Sequence, residues 1–147
     1  MSDSVHDEQA LAERVVNAMM AKDAFSQMMG MEVVEIRPRA SVVRLTVRPD
    51  MVNGFGVCHG GVAFSLADSA FAFACNTHGK ITVSIENTIT YPKKVLAGDV
   101  LVATAHEESA SSRLSFYHIE VRRGDELVNV FRGTAYRTEK PHFPDSE

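Results

Sequence analysis

The spacing of apolar residues changes several times along this chain, and each change marks an element. Over residues 8–22, Leu11, Val15, Ala18 and Met19 recur at helical intervals with Glu13, Arg14 and Asn17 elsewhere, which predicts an amphipathic helix. Asp23 can cap a second short turn over 24–29 that Gly30 would end. Residues 31–37 and 41–48 read as strands on either side of Pro38-Arg39-Ala40, and in the second Val43, Leu45 and Val47 alternate with Arg44, Thr46 and Arg48. After Gly79 the period of two returns four times, over 81–91, 100–106, 114–122 and 127–136. Gly98-Asp99, the serines of 109–112 and Gly124-Asp125 supply the turns. In the longest strand, Ile81, Val83, Ile85, Ile89 and Tyr91 share one face and Thr82, Ser84, Glu86, Thr88 and Thr90 the other.

Between the two groups of strands lies NGFGVCHGGVAFSLADSAFAFACNTHG, residues 53–79. Gly54, Gly56, Gly60 and Gly61 crowd its start, and residues 62–75 then contain neither glycine nor proline. That is a loop entering a helix, and the helix is apolar nearly all round, so it is buried. Two strands, one buried helix and four antiparallel strands make an α+β plan in which a curved sheet wraps a single helix. We expect a helical lead-in over 1–30, one domain over 31–139 and a frayed tail over 140–147, where KPHFPDSE has two prolines and no periodicity.

Composition narrows the function. A chain of 147 residues, 45% hydrophobic and 23% charged, is long enough for one core. A formal charge of −4 with no basic run argues against nucleic acid or an anionic membrane as partner. The acidic, polar amino terminus has no targeting pattern, and no apolar run reaches bilayer length, so a cytoplasmic protein is expected. There Cys58 and Cys75 would remain reduced.

The candidate chemistry sits on the buried helix. Asp68 is its one ionisable group, on a stripe with Gly61, Ser65 and Ala72, and no basic residue lies within four positions. A lone interior carboxylate is costly, which makes it a candidate for catalysis unless Ser65 or backbone merely holds it. At the helix start, His59-Gly60-Gly61 presents N–H groups without intrahelical partners, a place for an oxyanion or another anion. Two glycines can equally serve only the turn. Cys58, His59, Cys75 and His78 lack zinc-ligand spacing, so no metal is expected. Cys58 beside His59 makes a poor nucleophile–base pair, and the glycines match neither a dinucleotide fingerprint nor a P-loop.

Asn53-Gly54, then His59-Gly60-Gly61, then Asp68 after six further residues, resembles the hotdog-fold acyl-CoA thioesterases of the phenylacetic-acid-degradation type. The similarity extends to the strand around Ser84–Tyr91, to Ala97-Gly98-Asp99 and to Phe131-Arg132-Gly133. It departs between Tyr91 and Gly98, where Pro92 follows Tyr91 directly and Lys93-Lys94-Val95 fills the gap.

The resemblance implies a hotdog fold and hydrolysis of an aryl-acyl-CoA thioester such as hydroxyphenylacetyl-CoA, with coenzyme A as part of the substrate and no separate cofactor. Asp68 would be base or nucleophile and the Gly60 N–H the oxyanion donor, with Asn53, His59 and Ser84 positioning the reactants. Gly61 and Ser69 would lie beside the substrate, and Lys93, Lys94, Arg113 and Arg132 are the cations nominated for the coenzyme A phosphates. It also implies homodimers with shared sites, assembled as a dimer of dimers. Geometry agrees, because eight residues of helix separate Gly60 from Asp68 by roughly 12 Å along the axis, too far for one carbonyl. Two other functions fit the same residues: a hotdog hydratase or dehydratase in which His59 and Asp68 both carry protons, and a non-catalytic acyl-CoA binding module.

Overall fold

The computed structural model describes residues 2–144. The leading helix α1 spans Ser2–Lys22, beginning six residues before the predicted start, with Ala12, Val15 and Val16 buried. Helix α2, Ala24–Met28, is capped as expected: the Asp23 carboxylate accepts from the Ser26 N–H at 2.9 Å and the Ser26 hydroxyl at 2.6 Å.

Six strands follow: β1 Glu32–Arg37, β2 Ala40–Thr46, β3 Lys80–Thr90, β4 Val100–Ala110, β5 Leu114–Arg123 and β6 Glu126–Pro141. They form one antiparallel sheet in the order β1-β2-β4-β5-β6-β3, so β3 crosses from the middle of the chain to the far edge beside β6. Strand β4 continues through Ser109, predicted as turn, because a bulge between Glu107 and Ser109 lets it keep pairing with β5. Strand β6 runs past Lys140 into the predicted tail. Strand β6 pairs Pro141 with Lys80, the His142 N–H reaches Gly79 O at 2.8 Å, and Arg14 lies 3.8 Å over the Phe143 ring. Residues 145–147 lie outside the described residues.

Helix α3, Gly60–Asn76, lies against the inner sheet face. Val43, Leu45, Leu101, Ala103, Ala105, Tyr117, Ile119, Val121 and Phe131 meet Leu66, Ala67, Ala70, Phe71, Phe73 and Ala74 there, all at most 1% exposed. The approach is close where Phe71 crosses β6, since a Cβ on Gly133 would stand 2.6 Å from the Phe71 ring. At the other end Asn76 trades both amide groups with Thr82, tying the helix to the start of β3.

Candidate active site

The glycine loop is held by short backbone bonds that aim the start of α3. The Cys58 N–H donates to Val95 O at 2.7 Å, His59 N–H to Met51 O at 2.8 Å, and Asn53 N–H to Val57 O at 2.7 Å. Asn53 works as a turn residue: its Oδ1 accepts from the N–H groups of Phe55 and Val57 at 2.9 and 3.3 Å. His59 is the helix N-cap, its Nδ1 accepting from the Gly61 N–H at 2.9 Å. That bond leaves Nδ1 without a proton and removes Gly61 as a donor for substrate, contrary to the sequence expectation. The Val62 N–H turns back to His59 O at 2.9 Å. Of the first three N–H groups of α3, only that of Gly60 meets no acceptor among the described residues. Tyr91 Oη donates to Gly60 O at 2.9 Å and its ring lies 3.2 Å from where a Gly60 Cβ would stand.

Asp68 lies two turns along α3 and is half-buried. Ser65 does not hold it; that hydroxyl donates to Gly61 O at 2.7 Å. The partner is Asn87, whose Nδ2 donates to Asp68 Oδ1 at a long 3.4 Å, while Asn87 Oδ1 accepts from the Ser84 hydroxyl at 2.9 Å. No cation pairs with the carboxylate among the described residues, and burial, with a smaller contribution from Asp23, raises its pKa above the ordinary value. Asp68 is therefore a basic carboxylate with one neutral neighbour.

Asn87 interrupts the face that Ile81, Val83, Ile85, Ile89 and Tyr91 share by alternation, and the structure decides which of these turn inward. A bulge between Ser84 and Glu86 shifts the register against β6. Before it Thr82 is buried against Asn76; after it Asn87, Ile89 and Tyr91 turn towards α3. Val83 and Ile85, which alternation places on an inward apolar face, instead stand outside and are 46% and 58% exposed. The available signal is the break in apolar alternation at Asn87, a residue type strands disfavour.

The other nominated residues divide. Lys93 and Lys94 line a cavity of about 250 Å³ at the helix entrance, with His59, Ala63, Tyr91 and Asn129 also in its wall. Arg132 instead pairs with Glu108 at 3.0 Å, and Arg113 donates to Tyr136 Oη at 3.0 Å near the β4–β5 turn. Neither reaches the helix entrance, since β6 alternation sends Arg132 to the face opposite Phe131. Ser69 meets the Ser26 hydroxyl at 2.8 Å, fastening α2 to α3 rather than standing free for substrate. Burial raises the Cys58 thiol and pushes Cys75 up to about 12, so neither is an activated thiolate.

The family model for the thioesterase superfamily matches residues 55–129, from the glycine loop into β6. The chain is 38% identical over 122 residues to the acyl-coenzyme A thioesterase PaaI of Escherichia coli, covering 82% of this chain and 87% of that protein. It is 29% identical over 116 residues to human acyl-coenzyme A thioesterase 13, covering 77% and 82%. The structure of the E. coli PaaI protein from the phenylacetic acid degradation operon superposes with a TM-score of 0.88 at 35% identity, over 90% of this chain and 97% of that one. A crystal structure of a Thermus thermophilus protein gives a TM-score of 0.77 at 38% identity, over 80% and 99%. Among the described residues no helix is long and apolar enough to cross a membrane. Its six-stranded antiparallel sheet wrapped on α3, its match to the family model and its PaaI-like relatives place this chain in the thioesterase superfamily, as a hotdog-fold thioester hydrolase.

Proposed function

We propose that this chain hydrolyses aryl-acyl-CoA thioesters of the hydroxyphenylacetyl-CoA kind, with Asp68 as base or nucleophile and the Gly60 N–H as oxyanion donor. The observation that carries the reading is the pairing of one open N–H at the start of a buried helix with one raised, cation-free carboxylate on the same helix. Acting as base, Asp68 takes a proton from water as the water oxygen bonds to the thioester carbon, and the carbonyl electron pair moves to the oxygen facing Gly60. Collapse of that intermediate breaks the C–S bond and releases a thiolate, which needs little acid assistance near neutral pH. Acting as nucleophile, Asp68 would form an anhydride that water then opens. In a single turnover in ¹⁸O-water, transfer of a protein oxygen to the acid marks the second route, with water opening the anhydride at the Asp68 carboxyl carbon.

Gly60 and Asp68 stand eight residues apart on one straight helix, roughly 12 Å along its axis. A single chain cannot set both on one carbonyl, so the working unit is a dimer in which Gly60 of one chain faces Asp68 of the other. Strand β3, a sheet edge that carries Ser84 and Asn87, is suited to continue the sheet across such a two-fold axis. The cations Lys93 and Lys94 at the helix entrance suit the phosphates of coenzyme A. The aryl preference draws on PaaI, a protein of a phenylacetic acid degradation operon, and on the half-buried Phe64, which meets Phe131 edge-on at 5.3 Å. Hydration of an enoyl chain would ask His59 to carry protons, and one of its two nitrogens is committed to the helix cap.

The test is Asp68→Asn assayed with aryl and linear acyl-CoAs by thiol release. Turnover should fall roughly 100- to 10,000-fold with the fold and substrate binding retained. Near-normal turnover would remove Asp68 from the chemistry, and a large preference for long linear chains would refute the aryl assignment.

A further inference from the structure

Asn129 belongs to neither the proposed oxyanion donor nor the carboxylate, and it holds a buried oxygen that meets no donor among the described residues. It stands on β6 two residues before Phe131, so its side chain enters the sheet face that packs on α3, and it is 1% exposed. Its Nδ2 donates to Thr90 O at 3.3 Å. Because that partner is a carbonyl, the amide nitrogen must point to it and Oδ1 must point elsewhere. Oδ1 has no hydrogen-bond partner among the described residues. Buried acceptors left this way are rare and costly, and an aliphatic residue would have filled the same place in the core without that cost.

The surroundings give the oxygen a use. Asn129 forms part of the wall of the cavity at the helix entrance, with His59 and Ala63 from either side of Gly60 in the chain, the apolar Val57 and Val95, Tyr91, and the cations Lys93 and Lys94. At about 250 Å³ that cavity is smaller than the roughly 300–1,000 Å³ of pockets that take a whole ligand, so it suits one segment of a larger substrate. A segment that places its carbonyl on Gly60 brings its neighbouring atoms to this wall.

We infer that Asn129 Oδ1 accepts a hydrogen bond from an N–H or O–H of the bound thioester and so fixes how the substrate lies against the Gly60 N–H. The inference rests on the proposed function. Near the thioester carbonyl two parts of an acyl-CoA supply such a donor: a hydroxyl on the acyl group, or the amide N–H of the pantetheine arm nearest sulfur.

The experiment compares wild type with Asn129→Leu, which removes the acceptor at similar volume, on phenylacetyl-CoA and 4-hydroxyphenylacetyl-CoA. Loss of the bond lowers kcat/KM about ten-fold. A greater loss for the hydroxylated substrate assigns the donor to the acyl group, and an equal loss for both assigns it to the arm. Unchanged kcat/KM for both overturns the inference and leaves Asn129 a structural residue. If the variant does not fold, wild type is assayed with 4-methoxyphenylacetyl-CoA and with a phenylacetyl thioester whose arm carries an ester in place of the amide nearest sulfur. Indifference to both losses of a donor again overturns it. If wild type releases no thiol from any acyl-CoA, the hydrolase reading falls. Calorimetric affinities of wild type for the same thioesters then decide the Asn129 contact by the same comparison.

Discussion

Replacing Gly133 by alanine tests whether α3 is seated on the sheet as described. The added Cβ would stand 2.6, 2.8 and 2.9 Å from three atoms of the Phe71 ring, all inside van der Waals contact. The ring has no easy retreat, because Phe71 is fully buried and its centroid lies 5.4 Å from that of Tyr117 and 6.1 Å from that of Phe131. Overpacking of this kind costs about 1–3 kcal/mol, against which the stiffer unfolded chain returns at most about 0.4–1 kcal/mol. A net loss of about 1–2 kcal/mol should appear as a lower urea midpoint with an unchanged slope. Phe71→Leu should cost stability alone yet relieve Gly133→Ala, so the double-mutant cycle should be non-additive by about 1 kcal/mol or more. Asp68 lies three residues before Phe71 on α3, and Gly133→Ala should therefore also lower kcat. An alanine variant as stable as wild type, or an additive cycle, would mean that helix and strand do not approach as closely as the structure places them.

Equal mixing of a Gly60→Val chain with an Asp68→Ala chain should restore roughly a quarter of wild-type activity from two inactive parents, since half the dimers are mixed and each has one intact site. No recovery after confirmed subunit exchange would refute the shared site. Burial raises the Asp68 carboxyl, so the acid limb of kcat/KM should lie above the usual value of about 3.9. Since the folded value exceeds the unfolded one, the stabilisation is present below about pH 3.9 and lost as pH rises through the folded value. Asp68→Asn should accordingly raise Tm more at pH 7 than at pH 4, and a gain independent of pH would contradict this. Burial, with Arg137 nearby, pushes His78 down to about 4. The sign is opposite here: stability present above about pH 6.5 is lost as pH falls towards 4, and His78→Gln should flatten that part of a Tm–pH profile.

Much of this architecture is legible in the residues because each buried element carries its own period. Val43, Leu45 and Val47 face inward as their alternation requires, and α3 reads as buried from its alanines and phenylalanines alone. What escapes is whatever depends on counting across an irregularity. The bulge in β3 turns out Val83 and Ile85, which alternation carries inward, and its one trace in the residues is Asn87 interrupting the face of Ile89 and Tyr91. Arg39, at φ 62°, closes the β1–β2 turn with a residue that ordinarily avoids that conformation, and nothing in Pro38-Arg39-Ala40 announces it. In the candidate site, a lone carboxylate at Asp68 on a buried helix and a helix start at Gly60 are readable from charge and chain position. That His59 would withdraw Gly61 from the donors, and that Ser69 would be taken by α2, depends on side-chain directions that spacing does not convey.

The His59 cap has a consequence for selectivity. Helix starts that cradle phosphate do so by offering several N–H groups at once to an anion with several oxygens. Here the imidazole occupies one donor and the turn of the chain another, so the entrance is monodentate. A lone donor is matched to a single developing charge on a single oxygen and is a poor competitor for a phosphate dianion. Any grip on a polyanion at this end of the molecule would thus fall to side chains such as Lys93 and Lys94 and not to the helix start, which is left to a single oxygen.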